Sequence, residues 1–221
     1  MIDGSTIQSI FGPFGSEDSL LPFFGPLTLW VGMYTYSHVK GTSYQDWPIP
    51  HNTHHFFGMI FATLSIIYDN EEIFPERVGV LWTLSFFVID FIDCVRVMHT
   101  AYLFHAVCVL FLSSCNLMNP SFYRLRMNSR AMYLELSSPF MHLSKKTRNP
   151  LHFAIFALMF TCCRVVWIPL IMKRLLDDGL PWTDYKFLVV IAFYGLNLFW
   201  YAKILRIIIF GPPQKEDKKE G

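Results

Sequence analysis

Charge is scarce in this chain of 221 residues. Asp, Glu, Lys and Arg make up 16% of it, against about 25% in an average soluble domain. The net charge is only +1, and no basic patch with interleaved aromatic residues occurs. These two features exclude the usual kind of nucleic-acid-binding surface, so we expect no nucleic-acid partner.

Cysteine and terminal targeting signals are also sparse. The five cysteines show no C-x-x-C spacing and all fall inside apolar segments, so we expect buried free thiols rather than a zinc site. The first 20 residues hold no Lys or Arg and no compact apolar core. We therefore expect no cleavable signal peptide, and the first apolar segment should act as its own signal.

Apolar residues, in contrast, are abundant and clustered. They make up 53% of the chain, and the mean hydropathy is +0.36. Most of the clusters approach the roughly 20 residues that cross a bilayer. The cluster at 54–68 is short and the cluster at 121–143 is polar, so six membrane crossings is the alternative to seven. The sequence predicts an all-α integral membrane protein with spans at 21–38, 54–68, 79–98, 101–118, 121–143, 150–172 and 185–210.

The charged residues indicate an orientation for these spans. Basic residues lie at Lys40, in the loop 145–148 and in the tail, whereas residues 1–20 carry only acidic charges. With seven crossings the basic segments share one side. The positive-inside rule then places the C-terminus in the cytoplasm, or in the matrix or stroma of an organelle.

One carboxyl group stands at membrane depth, in the run Leu134–Phe140. Glu135 is costly there unless it is paired, and Pro139 should break the helix that carries it. Arg164 is a second ionisable group within a span, and it needs a counter-charge, for which Glu135 and Asp90 are the candidates. We expect Glu135 to pair with Arg164 or Arg130 and so to shape a lipid cavity.

Three more polar sets remain open between a structural and a functional interpretation. Arg124, Arg126 and Arg130 are either interfacial anchors or ligands of lipid phosphate. Asp93 should form an ion pair with Arg96, whereas Asp90 either lines a polar cavity or bonds to a neighbouring helix. His105 is either a buried structural residue or a general base.

The histidine cluster at 51–55 has the spacing H-x-x-H-H. On a helix these side chains could bind a metal, as in membrane di-iron enzymes, but such enzymes need several histidine boxes and no second box is present. An iron-dependent lipid oxidase is therefore a remote hypothesis. We expect no metal and no cofactor.

Several segments together resemble one family. Leu134–Phe140 is similar to the E-x-S-T/S-P-F signature of TLC-domain (TRAM/Lag/CLN) proteins, and especially of TMEM- and TLCD-like members. The stretch from Arg164 to Pro169 resembles the family's Arg followed by Ile-Pro. The stretch 87–92 resembles its aromatic Y-F-x-x-D segment, and Asn52 stands where members have an Asn opening the first domain helix. The resemblance covers about residues 50–210.

The resemblance implies a fold and a choice of functions. It implies a six-helix bundle around a lipid-sized cavity, with an extra N-terminal transmembrane helix. Residues 1–49 would form the N-terminal segment, 50–210 the TLC-like domain and 211–221 a charged tail. Ceramide synthases of the family acylate sphingoid bases with a paired His and nearby Asp residues, whereas other members sense or arrange lipids. Family resemblance implies the endoplasmic reticulum, with the mitochondrial inner membrane as alternative.

The chain departs from the catalytic pattern in either alignment. In one, His105 is followed by Ala106 where a second His is usual. In the other, the pair His54-His55 precedes Asn70, the stretch 77–79, and the two residues Asp90 and Asp93, but Ile89 replaces a His.

With one imidazole missing, we expect a non-catalytic protein that binds or organises membrane phospholipid. Glu135, Arg164, Arg124, Arg126 and Arg130 are the candidate lipid-binding residues. The most concrete version is an accessory subunit of a larger membrane complex, such as a respiratory complex. The alternative is a ceramide synthase-like N-acyltransferase that uses acyl-CoA, with His105, Asp90, Asp93, His54 and His55 as catalytic candidates.

Overall fold

The computed structural model describes Thr6, Gln8, residues 19–41, Tyr44 and residues 47–211, and the regular elements among them are all helical. The acidic residues of the N-terminal segment and the basic residues of the tail lie outside these described residues. The elements are α1 (Leu21–Val39), α2 (Pro48–Tyr68), α3 (Glu76–Arg96), α4 (Thr100–Met118), α5 (Pro120–Arg124), α6 (Met127–Met132), a 3₁₀ segment (Tyr133–Ser137), α7 (Ser138–Thr147), α8 (Pro150–Phe160), a π segment (Thr161–Val166), α9 (Trp167–Asp177) and α10 (Tyr185–Phe210).

Among the described residues, four continuous helices are long and apolar enough to cross a membrane. They are α3, α4, the unbroken run α8–α9 over Pro150–Asp177, and α10. The prediction of an all-helical integral membrane protein is therefore confirmed at this level.

Proline and short polar side chains fix where many of these helices begin. Proline is tolerated in the first helical turn because its missing N–H has no partner there anyway. Pro48, Pro120 and Pro150 each open a helix in this way. The side chains of Asn119, Asn149 and Asp184 accept hydrogen bonds from the first backbone N–H groups of α5, α8 and α10.

The fifth predicted span is a broken helix. Arg126 separates α5 from α6 in a left-handed conformation with φ 50°. The chain then tightens into the 3₁₀ segment that carries Glu135, and Pro139 lies in the first turn of α7. The expected break is thus present, since Pro139 cannot donate the backbone hydrogen bond that a continuous α-helix needs.

Helix α3 is the central helix of the bundle, being buried over 72% of its most apolar window. Trp30 of α1 is fully buried and packs edge-on against Trp82 and Phe86 of α3, with ring centroids 5.1 and 5.3 Å apart. Its indole N–H also donates to Ser85 Oγ at 3.1 Å. The N-terminal helix is therefore packed into the bundle rather than attached loosely to it.

A buried polar network joins the C-terminal end of α2 to the N-terminal end of α3 and to α6. Glu76 is fully buried and accepts hydrogen bonds from Ser65 Oγ at 2.6 Å and from the Ser129 backbone N–H at 3.0 Å. Arg126 pairs with Asp69 at 2.8 Å and with Glu71 at 3.1 Å. Every carboxylate of this network has a donor, so it can hold charge inside the protein.

The cysteines differ in part from the expectation of buried thiols. Cys94, Cys108 and Cys115 are buried, but Cys163 is only half-buried and Cys162 is exposed. The prediction was wrong for Cys162 because an apolar segment can present a thiol to the outside of a bundle as readily as to its core.

Candidate functional site

The bundle contains a cavity of about 410 Å³ between α2, α3, α4, α7, α8 and α10. One part of its wall is polar and titratable and is formed by His51, His55, Asp90, His105, Glu135, His142 and Arg164. The other part is apolar and is formed largely by α8 and α10, through Phe153, Phe156, Phe160, Trp200, Ile204 and Ile207. Such a two-sided lining is suited to an amphiphilic ligand.

The polar wall is built on a buried ion pair. Arg164 Nη2 donates to Glu135 Oε2 at 2.9 Å, and Ser138 Oγ donates to the same oxygen at 2.7 Å. The other guanidinium nitrogens reach Ser137 Oγ at 3.0 Å and Asn197 Oδ1 at 3.1 Å. The expected pairing of Glu135 with Arg164 is confirmed, and the buried charges are well provided with hydrogen bonds.

Local backbone irregularities on both helices aim this pair at the cavity. Glu135 stands on the 3₁₀ segment and Arg164 on the π segment, so neither residue has ordinary α-helical neighbours. Single-turn π segments inside helices occur often at functional sites. Arg130, the other proposed partner, instead donates from Nε to the Leu125 carbonyl at 2.8 Å.

Two imidazoles lie along the cavity without hydrogen-bond partners on one nitrogen. His55 Nδ1 is 3.7 Å from Glu135 Oε2, which is beyond a hydrogen bond. His105 is stacked on Phe193 with ring centroids 5.3 Å apart. Neither His55 Nδ1 nor His105 Nδ1 has a partner within the described part of the chain. Both nitrogens are thus buried beside the cavity without a hydrogen-bond partner among the described residues.

A second histidine pair lies nearer the N-terminal end of α2. His51 Nε2 is 3.8 Å from Asp90 Oδ1, and its ring centroid is 5.8 Å from that of His142. Asp90 is thus part of the polar wall of the cavity. Asp93 does not line the cavity; it accepts two hydrogen bonds from Arg96, the shorter at 2.8 Å, as the sequence predicts.

A model of the TLC domain matches residues 27–206 of the chain. The chain belongs to the TLC-domain family. No curated protein and no solved structure matches it. The match begins inside α1 and ends near the end of α10, so it includes every element that lines the cavity. The family match and the apolar helices together identify the chain as an integral membrane protein of a lipid-related family.

Within the TLC domain, the three histidines of the 51–55 cluster do not converge on one point. His51 and His55 are four residues apart and face the cavity, whereas His54 is fully buried and stacks on Phe86 with ring centroids 4.1 Å apart. Among the described residues no three His, Cys, Asp or Glu side chains are grouped closely enough to hold a metal ion. The cluster therefore does not have the geometry on which the iron-oxidase hypothesis depended.

The structure brings together the residues of one alignment with catalytic family members but not those of the other. Asp90 and His105 line the cavity, as the first alignment requires. In the second, His54 lies in the aromatic core, and neither Asn70 nor Arg77 reaches the cavity lining. Only the first pattern brings its residues to one place.

The proposed lipid-binding arginines have separate environments. Arg124 pairs with Asp178 at 2.6 Å, and the side chain of Arg126 is only 4% exposed within its carboxylate network. The Arg126 guanidinium group is thus occupied by protein partners, whereas the Arg124 side chain is 70% exposed and bonds to Asp178 through one nitrogen. Arg130 is half-buried and lies in a different groove from the cavity.

Sequence reasoning missed His142, Lys145 and Lys203 as cavity residues. No regular helical spacing marked His142, because the 3₁₀ segment and Pro139 break the helix between it and Glu135. Lys203 carried no signal either, since only the packing of α10 against α7 and α8 brings it to the cavity.

Proposed function

We propose that this TLC-domain protein binds one membrane lipid in its central cavity and is not an enzyme. The observation that carries the proposal is the two-sided lining, with charged and imidazole groups facing an aromatic wall. An acyl chain would lie along Phe153, Phe156 and Trp200 of that wall. The polar part of the lipid would face His51, Asp90 and His142, where hydrogen-bond donors and acceptors are both available.

The ion pair favours a binding role over a catalytic one. Glu135 accepts from Arg164 and Ser138, so its carboxylate is held rather than poised to take a proton. Arg164 is likewise engaged by protein groups. These two residues then form a fixed polar surface of the cavity that a lipid carbonyl or hydroxyl group can contact.

We further propose seven crossings, in which α5, α6 and α7 together form the fifth. Of the described basic residues, Lys40, Lys146, Arg148 and Arg206 belong to the end of the bundle where α1, α7 and α10 finish. Arg124, Lys173 and Arg174 lie at the other end, where carboxylates pair with the first two. By the positive-inside rule the former end, with the cavity residue Lys145, faces the cytoplasm or matrix. Labelling of Lys146→Cys and Glu72→Cys with an impermeant maleimide from each side tests this, and labelling of both from the same side would contradict it.

Lipid retention is the test of the binding proposal. Ser144 lines the cavity, so Ser144→Trp should fill its volume, while Ile208→Trp adds the same ring on an exposed face. Quantitative lipid mass spectrometry of the detergent-purified proteins should find at least about one retained lipid per wild-type chain, as expected for an occupied cavity. Ser144→Trp should retain about one lipid per chain fewer than the wild type, and Ile208→Trp should retain as many as the wild type. Equal retention in all three would refute the proposal.

N-acyl transfer from acyl-CoA to a lipid amine is the second candidate, and the unpartnered Nδ1 atoms of His55 and His105 favour it. Either imidazole could accept the proton of an acceptor amine while the acyl carbon bonds to that amine and the thiol departs. Purified protein would be assayed for acyl-CoA turnover beside His55→Gln and His105→Gln, with His152→Gln as a control outside the cavity. Activity that is lost in both cavity variants and kept in the control would replace the binding proposal.

A further inference from the structure

A second groove, of about 500 Å³, lies between α6 and α9, away from the central cavity. Its basic side chains are Arg130, Lys173 and Arg174, and its floor includes Trp167 and Ile171. It shares no lining residue with the cavity. The groove and the cavity are therefore two separate sites.

Arg130 is held in place by the backbone rather than by a carboxylate. Its Nε donates to the Leu125 carbonyl at 2.8 Å, and its own carbonyl accepts from Trp167 Nε1 at 2.9 Å. The described residues provide no ion pair and no further hydrogen bond for its terminal nitrogens. A guanidinium fixed in this way keeps the edge formed by its two terminal nitrogens free of protein partners, and such an edge can bind a phosphate through two hydrogen bonds.

The remaining charges in the groove leave it with an excess of positive charge. Lys173 is paired with Asp177 at 2.5 Å, and Asp178 with Arg124 at 2.6 Å. Arg174 is exposed and has no ion pair among the described residues. Arg130 and Arg174 are thus the two uncompensated cations of the groove.

The position of the groove in the bundle fits the headgroup layer. It lies at the end of the long α8–α9 helix, where Leu170 and Leu176 are exposed on the outer face. Trp182, in the connection to α10, is 68% exposed. Tryptophan and arginine beside exposed leucines are typical of the membrane–water boundary.

We propose that this groove binds the phosphate of a phospholipid headgroup through Arg130 and Arg174. The lipid chains would lie outside the bundle against Leu170, and Trp167 would pack beneath the glycerol region. Asp178 Oδ2 is buried with no partner among the described residues, and it can accept a hydrogen bond from an ammonium on the same headgroup. The ligand class is therefore a phospholipid that carries a hydrogen-bond donor, such as an ethanolamine lipid.

The test is a native mass spectrometry titration of the full chain in detergent with dioleoyl phosphatidylethanolamine. The double variant Arg130→Gln/Arg174→Gln should bind one of its lipids about thirtyfold more weakly than the wild type, as expected for two lost cation–headgroup contacts. A matched control, Lys40→Gln/Arg206→Gln, removes two exposed cations at the other end of the bundle and should bind as the wild type does. Equal lipid binding by the double variant would overturn the proposal.

Two further arms separate the possible causes. Ser144→Trp should lose the central lipid and keep the groove lipid, so failure of either site is recognised separately. Inorganic phosphate alone should neither raise the thermal stability of the wild type nor compete with the lipid at millimolar concentration. A phosphate-induced stabilisation that disappears in Arg130→Gln/Arg174→Gln would show a site for free phosphate and would contradict the lipid assignment.

Discussion

At the scale of the residue, Glu135 and Arg164 carry the most structural information. A carboxyl group at membrane depth requires a partner, and that requirement is enough to predict the pairing from the sequence. The same reasoning could not find His142 or Lys203, because their places depend on the broken fifth segment and on helix packing. It also could not foresee that Arg126 is buried, since its partners Asp69 and Glu71 lie in a turn more than 50 residues away in sequence.

Breaking the buried pair should cost more than removing a surface charge. Glu135→Gln leaves Arg164 charged and unmatched in a buried site, and it should lower the free energy of unfolding by about 3 kcal/mol. Unfolding by SDS titration in mixed micelles measures this. The control is Glu72→Gln, which neutralises an exposed carboxylate in the turn between α2 and α3. A Glu135→Gln protein as stable as the control would mean that the pair does not support the fold.

At the scale of the element, helix ends and helix breaks are the parts that sequence rules reach best. Pro139 predicts the break before α7, and Asn149 with Pro150 marks the start of α8. The length of α2 was underestimated, because its first turns hold the polar residues His51, Asn52 and His54 and therefore lack an apolar signal. The π segment at Arg164 had no sequence signal, since its apolar neighbours read as an ordinary helix.

The start of α10 gives a pH-dependent prediction. The backbone N–H of Lys186 and then its ammonium group donate to Asp184, and these bonds lower the pKa of that carboxyl. Asp184 therefore stabilises the folded state above its ordinary pKa, near 4, and this contribution is lost as the pH falls through the lowered value.

Thermal unfolding of Asp184→Asn across pH should reveal this contribution. The variant should melt below the wild type at pH 7, and the difference should shrink in acid, where the wild-type carboxyl is protonated as well. Asp177→Asn, which breaks only the exposed pair with Lys173, should melt within error of the wild type at every pH. A wild-type advantage over Asp184→Asn that persists unchanged in acid would rule out this linkage.

At the scale of the whole molecule, hydropathy predicts most of the helices. The predicted spans 101–118 and 185–210 agree with α4 and α10 to within a residue, and 79–98 lies within a few residues of α3. The cavity could be anticipated only through the family resemblance, because its walls come from six helices with no common sequence pattern. The groove beside Arg130 was not predictable, since it depends on which arginines find carboxylates after folding.

The most direct test of a lipid in the cavity is a photo-cross-linking map. The protein would be reconstituted in phosphatidylcholine vesicles with a trace of phospholipid that carries a diazirine in its acyl chain. After illumination, peptide mass spectrometry should locate adducts at Phe153, Phe156 and Trp200 as well as on the outer surface at Leu158. In Ser144→Trp the inner adducts should disappear while those at Leu158 remain. Adducts confined to the outer surface in the wild type would contradict the account.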